Sequence, residues 1–291
     1  MIKFAEENDK EQVRQMWKIC FNDTEEFMDI YFSEKYRNEN TLIYFENNNP
    51  VASLQMLLYL FSFYGVVIPV AYISGACTLP QFREKGYMNE LLVKSFEVMK
   101  RRNIPLSLLN PADKKLRSYY KKYGFETVFD EGKKSGYLKS ILDEAQINLD
   151  RAYTRFNAIY RNRDFCILKS KSDFKTIVED AKLTHLPPKN NLAGMARLIN
   201  VDLLLNFFAA KYPDKSFSFK LSDTFLLNNN ATFLIKNGVC HRTEQKTDIF
   251  FALSVDELCR LLFGFYLKQF SDYRISQHFE PQKPILNLMM E

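Results

Sequence analysis

The longest apolar stretch of the chain, LQMLLYLFSFYGVVIPVAYI (Leu54–Ile73), narrows the choice of folds more than any other segment. It is rich in β-branched and aromatic residues, and Gly65 interrupts it. Such residues favour buried strands, and the sequence holds no run of about 18 apolar residues that is long enough to span a membrane. The pattern therefore predicts two buried strands, Pro50–Phe63 and Val66–Leu79, joined by a turn.

The segments around these strands alternate between helical and extended patterns. Helices are predicted at residues 7–21, from Asp23 to Tyr36, and from Gly86 to Arg102. The strand Pro105–Leu109, a short helix and a further strand from Phe125 follow. Because helices and strands alternate in this way, the first half predicts an α/β layer fold with a central mixed sheet.

The second half of the chain has a different pattern. Helices are predicted at residues 140–160 and 172–185, and MARLINVDLLLNFFAAKYP is predicted to form one helix. Its apolar face is expected to pack into a core, with the lining of a lipid pocket as the alternative. Short strands and a further capped helix follow, which is typical of a separate α+β unit. We therefore expect a first domain at residues 1–140, a mainly helical connecting region at 141–190 and a smaller α+β domain at 191–291.

Composition and charge limit the class of protein. With 46% hydrophobic and 26% charged residues among 291, the chain resembles an ordinary globular protein. Its net charge of +5 is modest and does not imply a nucleic-acid partner. The charged N-terminal segment predicts no signal peptide, and five scattered cysteines without a CxxC pair indicate reduced thiols in a cytoplasmic protein. The three histidines are isolated in the sequence, so we expect no metal site.

The segment TLPQFREKGYMNELL (Thr78–Leu92) joins a strand to a helix that has no acidic cap. The first turn of a helix leaves its N–H groups unpaired, and these groups attract anions such as phosphate. Gly86 would let a ligand approach the backbone closely. The stretch from Lys94 to Lys122 contains nine basic residues and only two acidic ones. This excess of positive charge favours a polyphosphate ligand, although a solvated basic surface explains the same charges.

This segment resembles the coenzyme A signature of the GNAT acetyltransferases, (Arg/Gln)-x-x-Gly-x-(Gly/Ala). Pro80–Met88 carries the pattern, and YKKYGFE (Tyr120–Glu126) is similar to the tyrosine-containing helix and following strand of that family. Met88 departs from the pattern, because GNAT proteins most often have Gly or Ala there. The resemblance implies a GNAT fold, with acetyl-CoA as co-substrate and no metal.

The C-terminal region resembles the Eis (enhanced intracellular survival) acetyltransferases. The segments MARLINVDLLL, FLLNNNATFLI, SVDELCRLLFG and KPILNLMME carry this similarity over most of residues 195–291. In that group a sterol-carrier-protein-like domain follows the acetyltransferase. The resemblance therefore implies one complete GNAT domain, a connecting region and a smaller α+β domain of the sterol-carrier type.

Roles for individual residues follow from the same resemblance. The strand edge at Ala76, Cys77 and Thr78 is expected to pair with the pantetheine arm. The pyrophosphate is expected to lie against Arg83, Glu84, Lys85, Gly86, Tyr87, Met88 and Asn89. Tyr120 is the expected acid that protonates the leaving thiolate, with Tyr119 as the rival, and Cys77 is expected to be buried packing rather than a nucleophile.

The apolar tail PILNLMME is expected to be buried. In the Eis-like group the C-terminal carboxylate enters the acetyltransferase cleft and serves as the base, which implies the same role for Glu291 through its side chain or its terminus. The alternative is an apolar strand that packs under its own domain.

Two classes of function are compatible with these patterns. The first is an N-acetyltransferase that acts on a primary amine of a small molecule or peptide. The alternative is a sensor or carrier that binds CoA or a lipid on a GNAT scaffold without turnover. The sequence leaves the acceptor and the formation of a homo-oligomer open.

Overall fold

The computed structural model describes residues 1–184, 186–244 and 250–289, which form two β-sheets and the helices around them. The strands are β1 (Ile2–Phe4), β2 (Thr41–Glu46), β3 (Asn49–Phe63), β4 (Val66–Thr78), β5 (Leu106–Leu109), β6 (Glu126–Thr127), β7 (Cys166–Leu168), β8 (Met195–Leu198), β9 (Phe217–Ser222), β10 (Ala231–Lys236), β11 (Val239–Arg242) and β12 (Phe250–Ser254). The α-helices are α1 (Lys10–Phe21), α2 (Glu25–Glu34), α3 (Tyr87–Arg101), α4 (Lys114–Lys121), α5 (Gly136–Ala145), α6 (Leu149–Tyr160), α7 (Lys171–Thr184), α8 (Val201–Lys211), α9 (Val255–Leu262) and α10 (Tyr273–Ser276).

The long apolar run forms the antiparallel hairpin that its pattern predicts. Strands β3 and β4 pair from Phe63 and Val66 at the turn to Ala52 and Thr78 at the far end. Gly65 lies in the turn with a φ of 80°, a left-handed value that other residues rarely adopt. The two predicted strands are therefore confirmed.

The hairpin lies at the centre of the larger sheet, whose strand order is β1-β2-β3-β4-β5-β8-β6, with β7 on a separate stretch of β3. Strands β4 and β5 run parallel, whereas their neighbours pair antiparallel, so the sheet is mixed. Helices α1 and α2 pack on one face with the odd-numbered side chains of β3, and α3 packs on the other face. The predicted α/β class with a central mixed sheet is confirmed.

A second, four-stranded sheet has the order β11-β10-β9-β12, in which β9 and β12 are parallel. Helix α8 packs against β10 and β11, and α9 packs against this sheet and against β6 and β8 of the larger sheet. The apolar face of α8, represented by Leu204, Leu205 and Phe208, is fully buried, which confirms the predicted core packing. The three-part division at residues 1–140, 141–190 and 191–291 stays a prediction. Strands β7 and β8, which lie outside residues 1–140, contribute to the larger sheet.

One predicted helix is wrong at its start. Met195–Leu198 forms β8, and the helix begins only at Val201, after Asn200 accepts a hydrogen bond from the N–H of Leu203 at 3.2 Å. The strand is buried throughout between β5 and β6. Because both faces of β8 are covered, its sequence lacks the polar alternation that distinguishes a strand from a buried helix.

The described part of the C-terminal tail is buried, as its apolar sequence predicts. Leu286, Asn287, Leu288 and Met289 are each at most 9% exposed. The tail runs beside the loop before β8, where the N–H of Leu286 donates to Asn191 Oδ1 at 2.7 Å.

Among the helices of the described ranges, none combines the length and the apolar content that crossing a bilayer requires.

Candidate active site

The two parallel strands at the centre of the larger sheet separate at their C-terminal ends. Strand β4 pairs with β5 only through Val70–Tyr72, opposite Leu106–Leu108, and then continues to Thr78 paired with β3 but not with β5. This divergence leaves an opening in the sheet, and a cleft of about 590 Å³ lies at the end of β4. A pocket of this size at the C-terminal edge of parallel strands suits a small ligand or part of a larger one.

The cleft brings together residues from distant parts of the chain. Among the predicted residues, the lining includes Ala76, Cys77, Thr78, Arg83, Glu84, Gly86, Tyr87, Met88, Asn89, Tyr119 and Tyr120. The lining also includes Cys20, Phe21, Phe82 and Leu116. The predicted strand edge, turn and tyrosines therefore share one cavity.

A β-bulge distorts β4 just before the cleft. Gly75 and Ala76 together lie opposite Leu54, so β4 has one residue more than β3 at this point. Gly75 has a φ of 56°, and a Cβ there would lie 2.1 Å from Gln55 Oε1 and 2.3 Å from the Trp17 ring. The bulge therefore requires glycine, and it turns the last residues of β4 toward the cleft.

A buried polar group supports the bulge from the side of α1 and α2. The hydroxyl oxygen of Tyr31 lies 2.9 Å from Ser74 Oγ and 3.2 Å from Gln55 Oε1. Burial raises the pKa of Tyr31, so its phenol stays neutral. The amide nitrogen of Gln55 is buried and has no hydrogen-bond partner among the described residues. No local sequence pattern indicates this group, because its members come from α2, β3 and β4.

The turn between β4 and α3 presents the unpaired start of a helix to the cleft. Gly86 precedes α3 with a φ of 87°, and no side chain caps the helix. A Cβ on Gly86 would meet only Asn89 Nδ2, at 4.0 Å, so this side of the glycine is open. Arg83 folds back toward the strand, and its Nε donates to the carbonyl oxygen of Thr78 at 3.2 Å. Together these features create an electropositive, backbone-lined wall.

Lys85 and the basic residues from Lys94 to Lys122 lie outside the cleft lining. Lys85 is not part of the cleft lining; its ammonium lies 4.9 Å from the centre of the Phe82 ring and 3.6 Å from a Glu46 carboxylate oxygen. None of the nine basic residues between Lys94 and Lys122 contributes to that lining. Several instead pair with other groups, such as Lys94 with Glu97 at 2.8 Å. The charged side chains that line the cleft are therefore Arg83 and the acidic Glu84, beside the start of α3.

The two candidate acids differ in their hydrogen bonding. Both lie on α4, and Tyr119 donates to Asn89 Oδ1 at 2.9 Å. Tyr120 is 9% exposed, and within the described ranges its hydroxyl makes no hydrogen bond. Burial raises the pKa of Tyr120 to about 12, and burial together with Tyr123 and Tyr120 raises that of Tyr119. Of the two hydroxyls, that of Tyr119 is therefore held by Asn89, whereas that of Tyr120 is not.

Two of the additional lining residues come from the end of α1. Cys20 is half-buried, and its thiol donates to the carbonyl oxygen of Thr78 at 3.5 Å. Phe21 follows it and is 39% exposed. In the sequence these residues only extend the apolar face of an amphipathic helix, so nothing in the pattern points to a cleft.

Several predicted features have other outcomes. Glu291 and His185 lie outside the described residues. Cys77 is 5% exposed and packs into the core, and its hydrogen bond with Cys20, together with burial, raises its pKa well above the usual value. His278 stacks on Phe217 with ring centres 4.4 Å apart. No group of three or more His, Cys, Asp or Glu that could hold a metal ion occurs in the described ranges.

Comparison with known protein families finds a match for the first part of the chain. Residues 1–128 match the family of the acetyltransferase (GNAT) domain. No curated protein sequence matches the chain.

Solved structures share the fold over nearly the whole chain. A conserved protein from Enterococcus faecalis V583, described as a probable N-acyltransferase, has a TM-score of 0.67 at 13% identity, covering 99% of this chain and 98% of that one. A GCN5-related N-acetyltransferase from Anabaena variabilis ATCC 29413 has a TM-score of 0.64 at 16% identity, covering 98% of both chains. Eis1 from Mycobacterium abscessus has a TM-score of 0.60 at 12% identity, covering 91% and 90%. The expected GNAT fold is therefore confirmed.

Proposed function

We propose that this chain, with its acetyltransferase (GNAT) domain at residues 1–128, moves the acetyl group of acetyl-CoA to a primary amine. The observation that carries the proposal is the meeting of three features in one cleft. These are the uncapped start of α3, the edge of β4 beyond its last pair with β5, and the side chain of Tyr120. The start of α3 suits a phosphate group, the edge of β4 suits an amide-containing arm, and the hydroxyl of Tyr120 can give a proton to a leaving thiolate.

The turn before α3 suits the pyrophosphate of CoA. The first N–H groups of α3, from Tyr87 to Asn89, have no carbonyl partner within the helix, and the open side of Gly86 leaves room for phosphate oxygens. The guanidinium of Arg83 adds a full positive charge beside this turn. Met88, which replaces the usual small residue, packs partly against the buried cluster under α3, so its bulk is largely accommodated there.

The edge of β4 suits the pantetheine arm. Beyond Tyr72, β4 has no pairing with β5, and the bulge at Gly75 and Ala76 turns its last residues toward the cleft. An arm with amide groups can hydrogen-bond to Ala76, Cys77 and Thr78 as a strand would. The thioester at the end of the arm would then lie near the bulge and α4.

The chemistry needs two proton transfers and no protein nucleophile. The amine nitrogen attacks the thioester carbon, the carbon–sulfur bond breaks, and the thiolate takes a proton from Tyr120. A phenol whose pKa is about 12 is fully protonated at neutral pH and is therefore ready to donate.

We propose Glu291 as the base that takes the proton from the ammonium. Residues 286–289, which precede it, are buried rather than frayed, and Lys169 Nζ lies 3.0 Å from Met289 Sδ. Deleting Met289–Glu291 should abolish transfer and leave CoA affinity unchanged. The variant Met289→Leu controls for lost packing. Full activity in the truncated protein would show that the tail is only structural.

Further details of the proposal rest on the resemblance to the Eis-like group. We assign residues 191–291, with the four-stranded sheet, α8 and α9, to a domain of the sterol-carrier-protein type. A cytoplasmic location follows from the reduced state that the scattered cysteines suggest. The number of copies in solution stays open.

Turnover with a panel of amines tests the proposed activity. Thiol release from acetyl-CoA would be followed with polyamines, aminoglycosides and lysine-containing peptides, and mass spectrometry would identify the acetylated product. We expect at least one amine to be acetylated. Tight CoA binding without turnover on every amine would instead favour a CoA sensor or carrier.

A further inference from the structure

The cleft wall contains two neighbouring cysteine thiols. Cys20 ends the apolar face of α1, and Cys77 lies one residue before the end of β4. Both side chains line the same cleft, and the Cys20 thiol lies 3.5 Å from the carbonyl oxygen of Thr78, the residue next to Cys77. Two elements that are far apart in sequence therefore bring a thiol pair to the rim of the proposed cofactor site.

The surroundings make the two thiols unequal. Arg83 Nε contacts the same Thr78 carbonyl at 3.2 Å, so its guanidinium lies beside Cys20. The hydrogen bond from Cys77 lowers the pKa of Cys20 to about 7, burial opposes this shift, and the charge of Arg83 adds to it. Cys20 is half-exposed, whereas Cys77 is buried. Cys20 is therefore the accessible, more acidic thiol, and such thiols attack disulfides most readily.

The other three cysteines lack this environment. Cys166, Cys240 and Cys259 are buried, and burial raises the pKa of each thiol. They serve as internal references for reactivity.

We propose that Cys20 is a thiol-modification site that reacts with low-molecular-weight disulfides and that Cys77 then completes a Cys20–Cys77 disulfide. The Cys20 thiolate attacks one sulfur of the small disulfide, forms a mixed disulfide and releases one small thiolate. Cys77 loses its proton, attacks the sulfur of Cys20 and releases the second thiolate. The small disulfide is reduced to two thiols, and the protein loses two hydrogens in total.

The Cys20–Cys77 disulfide should weaken the binding of CoA, an expectation that rests on the proposed function. The two sulfur atoms of a disulfide lie about 2.0 Å apart, closer than any two unbonded thiols, so the end of α1 or the end of β4 must shift. Cys77 belongs to the strand edge proposed for pantetheine, and Phe21 lines the same cleft. The oxidised protein should therefore bind CoA more weakly than the reduced protein.

Disulfide mapping tests the modification without reference to catalysis. The fully reduced protein would be treated with 2-hydroxyethyl disulfide, quenched with an alkylating reagent and digested for mass spectrometry. We expect one linked peptide pair that contains Cys20 and Cys77, with Cys166, Cys240 and Cys259 alkylated. In Cys77→Ser, Cys20 should stop at the mixed disulfide; in Cys20→Ser, the remaining cysteines should stay unmodified. Circular dichroism would verify that both variants are folded.

Protection by a ligand without a thiol places the reaction in the cleft. Dethio-coenzyme A should slow the modification of Cys20 because it would cover the cleft. Calorimetry of CoA binding to the reduced and oxidised protein then measures the effect on affinity, where we expect at least a tenfold loss.

Three results would overturn the inference. These are no modification of Cys20 in the folded wild-type protein, a mixed disulfide that persists although Cys77 is present, or linkage to another cysteine. If the reduced protein fails to bind CoA at all, the proposed function fails, while peptide mapping still decides whether the thiol pair closes.

Discussion

Gly86 is the residue whose geometry bears most directly on the proposed phosphate site. Its φ of 87° is left-handed, and the space beside it is open. We expect Gly86→Asp to weaken CoA binding by about tenfold or more, because a side chain and a like charge would face the phosphates. Calorimetry with CoA measures the change.

Gly65 provides a matched control for this substitution. It also has a left-handed φ, 80°, and no atom lies within 4 Å of the position that a Cβ would take there, but it lies in the hairpin turn away from the cleft lining. Gly65→Asp should therefore introduce a similar backbone strain, about 1–2 kcal/mol, and leave the affinity for CoA unchanged. Equal CoA affinity in Gly86→Asp and wild type would contradict the phosphate site.

Tyr120→Phe tests the proton donor. The change keeps the buried ring and removes the hydroxyl, so turnover should fall by about 10²-fold or more while CoA affinity stays the same. Steady-state kinetics with the best amine of the panel measures the loss. Tyr119→Phe, which breaks the bond to Asn89, is the matched comparison. If Tyr119→Phe shows the larger drop in turnover, the roles of the two tyrosines are reversed.

The pH profile gives a second readout of the same residue. An ordinary phenol loses its proton near pH 10, but burial raises the pKa of Tyr120 to about 12. The raised pKa means that the protonated, donating form persists as pH rises from 7 to about 10. Wild-type turnover should therefore show no loss with a midpoint near pH 10. If wild-type turnover falls near pH 10 and the Tyr120→Phe variant shows no such fall, the raised pKa of Tyr120 is contradicted.

Individual cleft residues are predictable from the sequence where they belong to one continuous motif. Residues from Arg83 to Asn89 follow one another in the chain, so the turn that presents them could be inferred from the order of residue types. Cys20 and Phe21 join the same cleft only because α1 packs across β4. That packing depends on a whole face of the sheet, which no short pattern specifies.

Among the elements, the bulge in β4 has the strictest requirement. Gly75 has a left-handed φ, and a Cβ there would overlap Gln55 and Trp17. Gly75→Ala should therefore lower the free energy of unfolding by roughly 2–5 kcal/mol, from backbone strain and overpacking together. Chemical denaturation measures the change.

Gly136→Ala is the matched control at a permissive site. Gly136 begins α5, and no atom lies within 4 Å of its Cβ position. Alanine there should raise the free energy of unfolding by about 0.4–1 kcal/mol, because it restricts the unfolded chain. If Gly75→Ala is as stable as Gly136→Ala, the bulge adapts more easily than its contacts indicate.

Prediction of elements from sequence depends on how far apart their partners lie. The hairpin of β3 and β4 and the helix α3 carry their patterns within one continuous segment, so the sequence predicts both. Strand β8 pairs with β5 and β6, which lie far away in sequence, and it is buried on both faces. Its apolar residues therefore resemble the first turn of the following helix.

On the scale of the whole molecule, one buried ion pair joins the two sheets. Arg197 on β8 donates to Asp223 at the end of β9 with a distance of 2.7 Å, and both side chains are fully buried. Asp223→Asn keeps the shape and removes the charge, which leaves the guanidinium uncompensated. We expect a loss of about 3–5 kcal/mol in the free energy of unfolding, measured by denaturant titration.

The exposed pair of Arg242 and Asp202 is the comparison. Its carboxylate and guanidinium lie 2.6 Å apart, but both side chains are more than 40% exposed, so water screens their attraction. Asp202→Asn should cost less than about 1 kcal/mol. If the two substitutions cost the same, the buried pair does not hold the sheets together.

The position of β8 also sets an order of events during synthesis. The segment that matches the acetyltransferase domain leaves the ribosome first, but the strand that separates β5 from β6 is translated about 90 residues after β5. At a translation rate of 5–20 residues per second, β8 is therefore synthesised roughly 4–18 s after β5. In nascent chains of this protein one edge of the central strand β5 therefore stays unpaired for seconds, and we expect chaperones to bind the chain during this interval.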